Sequence, residues 1–587
     1  MPSPIRVLPL ALGPARLGPP EVFCSFYALG CLAAYAKADR GGALREAFEF
    51  GQITPTMVPD AAALVGSLPL AEPAIVLLSC YVWNTPANLA VAREIRRRSP
   101  GSLVIAGGPH IPRNPDAAAK LLGTEPALDV LVRYEGEKTL AELLRVLAEG
   151  RVDAGGLHSA SFTGVAGLTF RDHEGTVHRT PDRERVKDLE TYPSPYLTGE
   201  FDHWIEGRHY MPTETNRGCP YGCTFCDWGA ATLAKIHTMS LERVLGEIDF
   251  AAEKRLRVLG YCDANFGALP RDLEIVRHIV RVHEKTGFPA EVGYTNAKTA
   301  NPRLGEIVKL LRDAGLVHAG QISMQTTDAG VLENVKRANI RTGDYEKTIA
   351  FYHANDIPAV SDMMIGLPGQ TFATVKKDLQ FFFDRRVRAV IFSTSVMPNA
   401  PMAEPEYRER FRIAVDADGF VESTYSFTKA DYERMFELCI TYKLFVKLGV
   451  LRYLLYFLQL EHGVRAMDFI ERWMEVVPRE PARYPRSAAV RAALLERDYR
   501  KELKDWLLLS WNDEQGRALL GDVPGFLAEI VDFFAREHGV SAEGSALEAI
   551  LRAQAAVLPG PPGPARRVEL PHDAAAWVQK LRGLPAL

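Results

Sequence analysis

Short apolar runs alternate with amphipathic stretches along the first 150 residues, and from Ile5 to about Gly150 this predicts an α/β sheet. Ala74 to Leu78 reads as a buried strand, followed by the loop Tyr81-Val82-Trp83-Asn84. A helix then runs to Arg98, with Thr85 as its N-cap and Pro86 at its first position, and Pro100-Gly101 stops it. Ser102 to Ala106 is the next strand and leads into Gly107-Gly108-Pro109-His110. A further strand, Asp129 to Val132, leads into Tyr134-Glu135-Gly136-Glu137 and another helix. In open parallel sheets, ligands lie beyond the carboxyl ends of strands, where these glycine-bearing loops fall.

Residues 151–205 change character, with Gly155-Gly156 and a hydrophilic run from Arg171 to Arg185, and read as a linker carrying a β-hairpin. Pro193-Ser194-Pro195 makes a stiff, extended approach to the next domain. From Met211 to Pro398 six strand-helix units follow. Their strands are expected at Met211 to Asn216, Leu256 to Tyr261, Ala290 to Thr295, Val317 to Gln325, Ala359 to Gly366 and Ala389 to Val396. Helices are expected around Leu241 to Lys254, Arg271 to Lys285, Arg303 to Asp313, Tyr345 to Asn355 and Phe372 to Asp384. Six such units make a partial (β/α)6 barrel with its function at the strand carboxyl ends.

Beyond Pro401 the chain turns helical and aromatic. At helical spacing, Tyr432, Phe436, Tyr442, Phe445, Tyr453, Tyr456, Phe457, Phe469 and Trp473 read first as core packing. Leu558 to Pro564 reads as a Pro/Gly hinge before a short terminal segment. The expected domains are thus an N-terminal Rossmann-like sheet (1–150), a linker (151–205), a partial barrel (206–400) and a helical capping domain (401–587).

Composition changes this picture little. The 587 residues are 47% hydrophobic and 24% charged with net charge −4, as in a globular chain with no bulk attraction to nucleic acid or anionic lipid. A small-molecule or peptide substrate is the expectation. Met1 to Pro20 is broken by Arg6, Arg16 and several prolines, unlike a signal peptide. The uncharged run Pro73 to Ala92 contains Asn84, Thr85, Pro86 and Asn88, so no membrane span is expected. Eight cysteines in a chain of this size fit a reducing compartment, and the cytoplasm is the expected location.

Three of those cysteines carry the chemistry. Gly218-Cys219-Pro220-Tyr221-Gly222-Cys223-Thr224-Phe225-Cys226-Asp227-Trp228-Gly229 spaces them C-x3-C-x2-C in one short loop. Grouped thiolates suit a soft metal centre, and four-iron clusters are held by cysteine sulfur. Only three ligands are local, which leaves one iron open to a chelating amine and carboxylate. A zinc site would need a fourth Cys or His at matched spacing, and no such partner pair lies nearby.

The segment resembles the signature of the radical S-adenosylmethionine (SAM) enzymes. The resemblance implies that Cys219, Cys223 and Cys226 bind a [4Fe-4S] cluster and that Phe225 packs beside the SAM adenine. Asp263 and Asn265 fall where family members bind the SAM amino group. Ser323 and Gln325 end the fourth strand, where ribose hydroxyls or the SAM carboxylate would be bonded. Asp362-Met363-Met364-Ile365-Gly366-Leu367-Pro368-Gly369-Gln370 resembles the adenine-contacting glycine motif, with backbone around Ile365 serving the adenine edge. The chain has Gln370 where Glu is common, and Pro398-Asn399-Ala400-Pro401 where Gly-Thr-Pro is frequent.

Ahead of that motif, the order of elements resembles the cobalamin-binding domain of the cobalamin-dependent radical SAM family. Its implied contacts are Ser79, Tyr81, Trp83 and Asn84 on the first loop, Gly107, Gly108 and Pro109 on the second, and Glu135, Gly136 and Glu137 on the third. The string Asp-x-His-x-x-Gly, which places a histidine on cobalt in many cobalamin proteins, is absent, so Trp83 or a neighbour is expected to shield the lower face. His110 reads as a solvated loop residue.

The resemblance implies two uses of SAM: cleavage by the reduced cluster to a 5′-deoxyadenosyl radical, and methylation of cobalamin for delivery to a substrate carbon. It also implies a flavodoxin or ferredoxin-type reductant. The expected reaction is methyl transfer to an unactivated carbon of a small-molecule or peptide natural-product intermediate by a monomeric enzyme. Methylation of aromatic carbon or phosphorus, cobalamin-dependent rearrangement or cyclisation, and a non-enzymatic cobalamin sensor are the alternatives.

Overall fold

The computed structural model describes residues 4–14, 24, 26–58, 60–150, 162–228, 234–298, 302–338, 340–496, 522–541 and 546–558. Gly155-Gly156, most of the Leu558 to Pro564 hinge and parts of Met1 to Pro20 lie outside them. Two compact units form, one from residues within 1–297, 301–318 and 397–404, the other from residues within 298–300, 319–396 and 405–587. Among the described residues no helix is long and apolar enough to cross a membrane.

The first unit is built on a seven-stranded sheet. Its strands are β1 (Ile5–Leu10), β2 (Phe48–Phe50), β3 (Ile75–Ser79), β4 (Leu103–Gly107), β5 (Val130–Val132), β6 (Leu168–Arg171) and β7 (Val177–Arg179). The spatial order is β2-β1-β3-β4-β5-β6-β7, and the first five are parallel. Side chains alternate faces along each strand. Val7, Ile75, Leu77, Ile105 and Val130 therefore pack with helices Phe26–Ala38 and Glu137–Glu149 on one face. Leu8, Val76, Leu78, Val104 and Leu131 pack with Thr85–Arg98 and Pro115–Thr124 on the other. The order 2-1-3-4-5 is that of a doubly wound sheet whose ligand crevice opens beyond the strand carboxyl ends.

Two expectations shift here. Asn84, not Thr85, holds the cap position of helix Thr85–Arg98, and the Thr85 hydroxyl donates to the Tyr81 carbonyl at 2.7 Å. The hairpin expected as a linker is β6–β7, which extends the sheet antiparallel to β5 with Val132 opposite Leu168. Arg133 explains that attachment. Its fully buried guanidinium donates to the Thr169 hydroxyl at 2.8 Å, the Thr180 carbonyl at 2.7 Å and Asp182 at 2.9 Å.

The same unit holds a parallel triplet, β8 (Tyr210–Thr213), β11 (Val258–Tyr261) and β12 (Glu291–Gly293), in the order β8-β11-β12. A short ladder between β9 (Asn216–Arg217) and β10 (His237–Thr238) closes the base of the cysteine loop.

In the second unit, β13 (Gly320–Gln321), β14 (Ala359–Ile365) and β15 (Arg388–Ser393) form another parallel triplet. All six expected strands occur, but they pair as two triplets and not as one six-stranded sheet. The fourth is short: its ladder stops at Gln321 opposite Val360, and pairing returns only as an isolated bridge from Gln325, at a left-handed φ of 64°, to Met363. The helix Phe372–Asp384 is found at its expected bounds. Beyond it, Tyr432, Tyr442, Phe445, Phe457, Phe469 and Trp473 are buried core, with Phe445 edge-on to Trp473 at 5.1 Å.

Candidate cofactor site

The cysteine loop leaves β9 through Gly218. Its φ is +141°, and a Cβ there would stand 2.5 Å from the Lys235 carbonyl oxygen, so the chain turns into the motif only with glycine. The Ala234 amide donates to the Cys219 carbonyl at 2.9 Å and the Cys226 amide to the Cys223 carbonyl at 3.1 Å, which folds the loop on itself. Cys219 and Cys223 are buried, while Phe225 and Cys226 are partly exposed.

Among the described residues no three His, Cys, Asp or Glu side chains converge on a single metal ion. A four-iron cluster asks for something different, since each thiolate binds a different iron around a larger core. The chemistry of the donor set fits it: three cysteine thiols in one loop, none in a disulfide, with Asn265 Nδ2 donating to Cys219 Sγ at 3.3 Å. Hydrogen bonds to ligating sulfur tune a cluster's potential.

Next to the loop's base lies a cavity of about 560 Å³, within the range of ligand sites. Three strand ends form one wall. Ser79 ends β3, with Tyr81 and Trp83 just beyond it; Gly107 ends β4, with Gly108 and Pro109 beyond it; and Glu135, Gly136 and Glu137 follow β5. Gly108 is required by geometry: φ is +100° and a Cβ would approach the Cys80 carbonyl oxygen to 2.6 Å. Tyr81 and Trp83 stack at 4.7 Å and 22°. Burial pushes the Tyr81 phenol well above its ordinary range, so it stays protonated.

Asn84 is the exception among the expected contacts. It is fully buried, does not line the cavity, and donates from Nδ2 to the Leu12 and Ser79 carbonyls at 3.0 Å each while accepting from the Tyr81 amide at 2.7 Å. It braces the loop.

Tyr27, Cys31, Arg185, Glu214, Arg217 and Cys262, none of which the sequence motifs single out, also line the cavity, together with His110 and Trp228. Instead of being solvated, His110 is half-buried, and burial lowers its proton affinity. Arg217, just ahead of Gly218-Cys219, pairs with Glu137 at 2.8 Å and Glu214 at 2.9 Å. Arg185 Nε donates to Glu135 Oε1 at 3.2 Å. Among the described lining residues, four carry a buried polar atom with no partner: Tyr27 Oη, Glu135 Oε2, Arg185 Nη2 and Tyr261 Oη. Unsatisfied donors and acceptors around a glycine-cleared space suit a ligand rimmed with amides, as the corrin ring of cobalamin is.

Of the residues expected at SAM in this unit, Asn265 remains suited, with Oδ1 buried and unpartnered. Asp263 does not. Its oxygens accept from the Thr215 amide at 2.8 Å, the Asn216 amide at 3.3 Å, Asn216 Nδ2 at 2.9 Å and the Thr215 hydroxyl. Burial pushes its carboxyl up to about 7 against those donors. Asp263 thus ties β11 to the approach of the cysteine loop.

In the second unit, Ser323 Oγ and Gln321 Nε2 donate to Asp362 Oδ2 at 2.5 and 2.6 Å. Gln325 Oε1 is buried and unpartnered, as a ligand-facing amide would be. The Ile365 carbonyl is occupied by the Thr394 amide and hydroxyl at 2.9 and 2.8 Å, so that atom is not free for an adenine edge. Gln370 is fully buried. Its Oε1 accepts from the Leu367 amide at 2.9 Å and its Nε2 donates to the Met364 carbonyl at 2.8 Å, clamping the glycine turn.

A family model described as the radical SAM superfamily matches residues 213–382. The chain is 31% identical over 507 residues to the cobalamin-dependent radical SAM methyltransferase TokK of Streptomyces tokunonensis, a match covering 80% of this chain and 70% of that protein. It is 36% identical over 345 residues to a 2-(S-pantetheinyl)-carbapenam-3-carboxylate methyltransferase of Streptantibioticus cattleyicolor. That match covers 57% of this chain and 49% of the relative, so the chain spans about half of that protein's length. Among solved structures, the cobalamin-dependent SAM radical enzyme OxsB shares the fold with TM-score 0.55 at 15% identity, over 95% of this chain and 84% of that one. The radical SAM methyltransferase TsrM of Kitasatospora setae does so with TM-score 0.52 at 19% identity, over 74% and 83%. These two likenesses speak to the fold alone.

Proposed function

This chain belongs to the cobalamin-dependent radical SAM methyltransferases, and we propose that it moves a methyl group from SAM to an unactivated carbon of a small-molecule natural-product intermediate. Its cofactors are those of the family: a [4Fe-4S] cluster, SAM and cobalamin. Bound together, these groups supply the carbon radical and the transferable methyl, and the protein supplies position, charge and exclusion of water.

The observation that supports this reading best is the shared cavity. One wall comes from three strand-end loops of the doubly wound sheet, the other from the base of the cysteine loop, within one compact unit. Cys219, Cys223 and Cys226 would hold the cluster, with the Asn265 amide on the first sulfur. Glu135, Arg185 and Tyr27 offer unpartnered polar atoms to a corrin periphery. Tyr81 and Trp83 offer stacked rings that would pack against the corrin without supplying it a metal-ligating atom at neutral pH.

The N-terminal sheet with its added hairpin is assigned to cobalamin, the following strands to the cluster and SAM, and the helical residues from 401 to a cap. A flavodoxin or ferredoxin-type reductant, a monomeric state and a cytoplasmic setting belong to the same proposal. For the substrate, the name of one relative points to a carboxylated bicyclic β-lactam of the carbapenam kind as the first compound to test.

The test is an anaerobic assay with reconstituted protein, reduced flavodoxin, SAM and a carbapenam carboxylate bearing a thioether. S-Adenosylhomocysteine and deoxyadenosine together with a product heavier by one CH₂ support the proposal. Deoxyadenosine alone, with an isomerised or cyclised product, replaces it with a rearrangement.

A further inference from the structure

The segment Met397 to Glu404 packs within the N-terminal unit, and one side chain in it grips the second cavity loop. Asn399 Nδ2 donates to the Pro109 carbonyl at 2.7 Å and the Ile111 carbonyl at 2.9 Å, while its Oδ1 accepts from the Arg113 amide at 2.7 Å. These partners lie 286 to 290 residues away in sequence. Asn399's neighbours Met397 and Pro398 are part of the cavity wall. Three residues on, the Met402 amide donates at 2.8 Å to the carbonyl of Thr224, which sits between Cys223 and Cys226. The gripped loop reaches the cysteine loop a second time: Arg113 pairs with Asp227, the residue after Cys226, at 3.3 Å, and its guanidinium lies 4.8 Å from the Tyr134 ring centroid.

One short segment is therefore bonded to the Pro109 loop through Asn399 and to the cysteine loop through Met402. Three bonds from one planar group require two N–H donors and an acceptor, which a primary amide has. Aspartate has no donor, and threonine has one. Neither could make all three bonds that Asn399 makes.

We propose that Asn399 is a positioning residue, which fixes the spacing between the cobalamin-side loop and the cluster loop so that SAM cleavage and methyl delivery stay coupled. The inference rests on the cobalamin reading above. Asn399 does not itself line the cavity, so its effect passes through Pro109, Ile111 and Arg113.

The test uses the full chain reconstituted with iron, sulfide and hydroxocobalamin, comparing wild type with Asn399→Asp and Asn399→Ala. Iron content is expected to match wild type in both. Hydroxocobalamin affinity is expected to fall about tenfold on loss of the clasp. Amide hydrogen exchange over residues 107–113 is expected to quicken with or without cobalamin, and methylated product per deoxyadenosine to drop several-fold. Wild-type affinity, exchange and product ratio in both variants would overturn the proposal. Loss of iron together with cobalamin in both would also overturn it, because the residue would then serve general folding. A wild type that binds no cobalamin refutes the functional reading instead, and the exchange rates still decide whether Asn399 holds the loop.

Discussion

Arg217 and Glu137 form an ion pair of 2.8 Å that joins the residue before the cysteine loop to the third cavity loop, with side chains only 13% and 6% exposed. Glu214 adds a second carboxylate at 2.9 Å. Desolvating three charges is costly, and the arrangement is favourable only while the guanidinium is there to answer both carboxylates. The pair also commits the Glu137 carboxylate to protein, whereas Oε2 of its neighbour Glu135 is buried without a partner.

Removing the cation should therefore hurt more than removing the network. Arg217→Met is expected to destabilise the apoprotein by about 3–5 kcal/mol, as for other broken buried pairs, with partial recovery in Arg217→Met combined with Glu137→Leu. Urea unfolding midpoints measure both. A loss below about 1 kcal/mol in the single variant would place the pair among surface bridges.

Gly108→Ala separates the two cofactors. The added methyl would meet the Cys80 backbone at 2.6 Å, on a residue already at φ +100°. The second cavity loop must shift, whereas the cysteine loop need not. Hydroxocobalamin retention after desalting is expected to be lost while iron and sulfide content stay at wild-type levels. Full retention would mean that this loop does not contact the corrin.

Paramagnetic resonance of the protein loaded with cob(II)alamin reads the lower face directly. Tyr81 and Trp83 provide stacked rings and no nitrogen lone pair, so the cobalt signal is expected to lack nitrogen superhyperfine splitting. Trp83→His is expected to introduce it. A nitrogen triplet in the wild type would mean that the lower face is ligated, either by cobalamin's own dimethylbenzimidazole or by His110 on the cavity wall, and would contradict shielding by Tyr81 and Trp83.

Gln370→Glu, which introduces the residue that the radical SAM resemblance leads one to expect there, is expected to weaken this chain. A carboxylate cannot donate to the Met364 carbonyl as Gln370 Nε2 does at 2.8 Å, and the site is fully buried. The expected cost is about 1–3 kcal/mol, read from the unfolding midpoint, because a buried acceptor is left facing a charge. A neutral or stabilising outcome would show that the turn is clamped by Leu367 alone.

These residues also show where the sequence is transparent and where it is not. Ile75–Ser79 and Phe372–Asp384 are legible because continuous apolar runs and helical periodicity are local signals. The glycine loops are legible because strand ends in a parallel sheet are where ligands go. The hairpin β6–β7 was expected as a linker because nothing in its own residues reports that Arg133, on another strand end, anchors it. Asp263 carries the residue type and strand-end position of a ligand, yet four donors from Thr215 and Asn216 consume it, a fact set by chain crossing. Arg217 sits beside the most informative motif in the chain, yet its role is not legible there, because its partner Glu137 is distant in sequence and is brought to it only by folding. Asn399 was noted as a departure from the family and proves to be a contact of its own.

The central claim is that one chain holds a cluster and a cobalamin at separate but adjoining places. An ultraviolet-visible spectrum of the desalted protein after anaerobic reconstitution with iron, sulfide and hydroxocobalamin tests it, with Cys223→Ala alongside. The wild type should keep both an iron-sulfur band near 400 nm (roughly, as thiolate-bound clusters show) and stoichiometric cobalamin, and Cys223→Ala should lose the band and keep the cobalamin. Cobalamin that washes out of the wild type while the cluster remains would contradict the account.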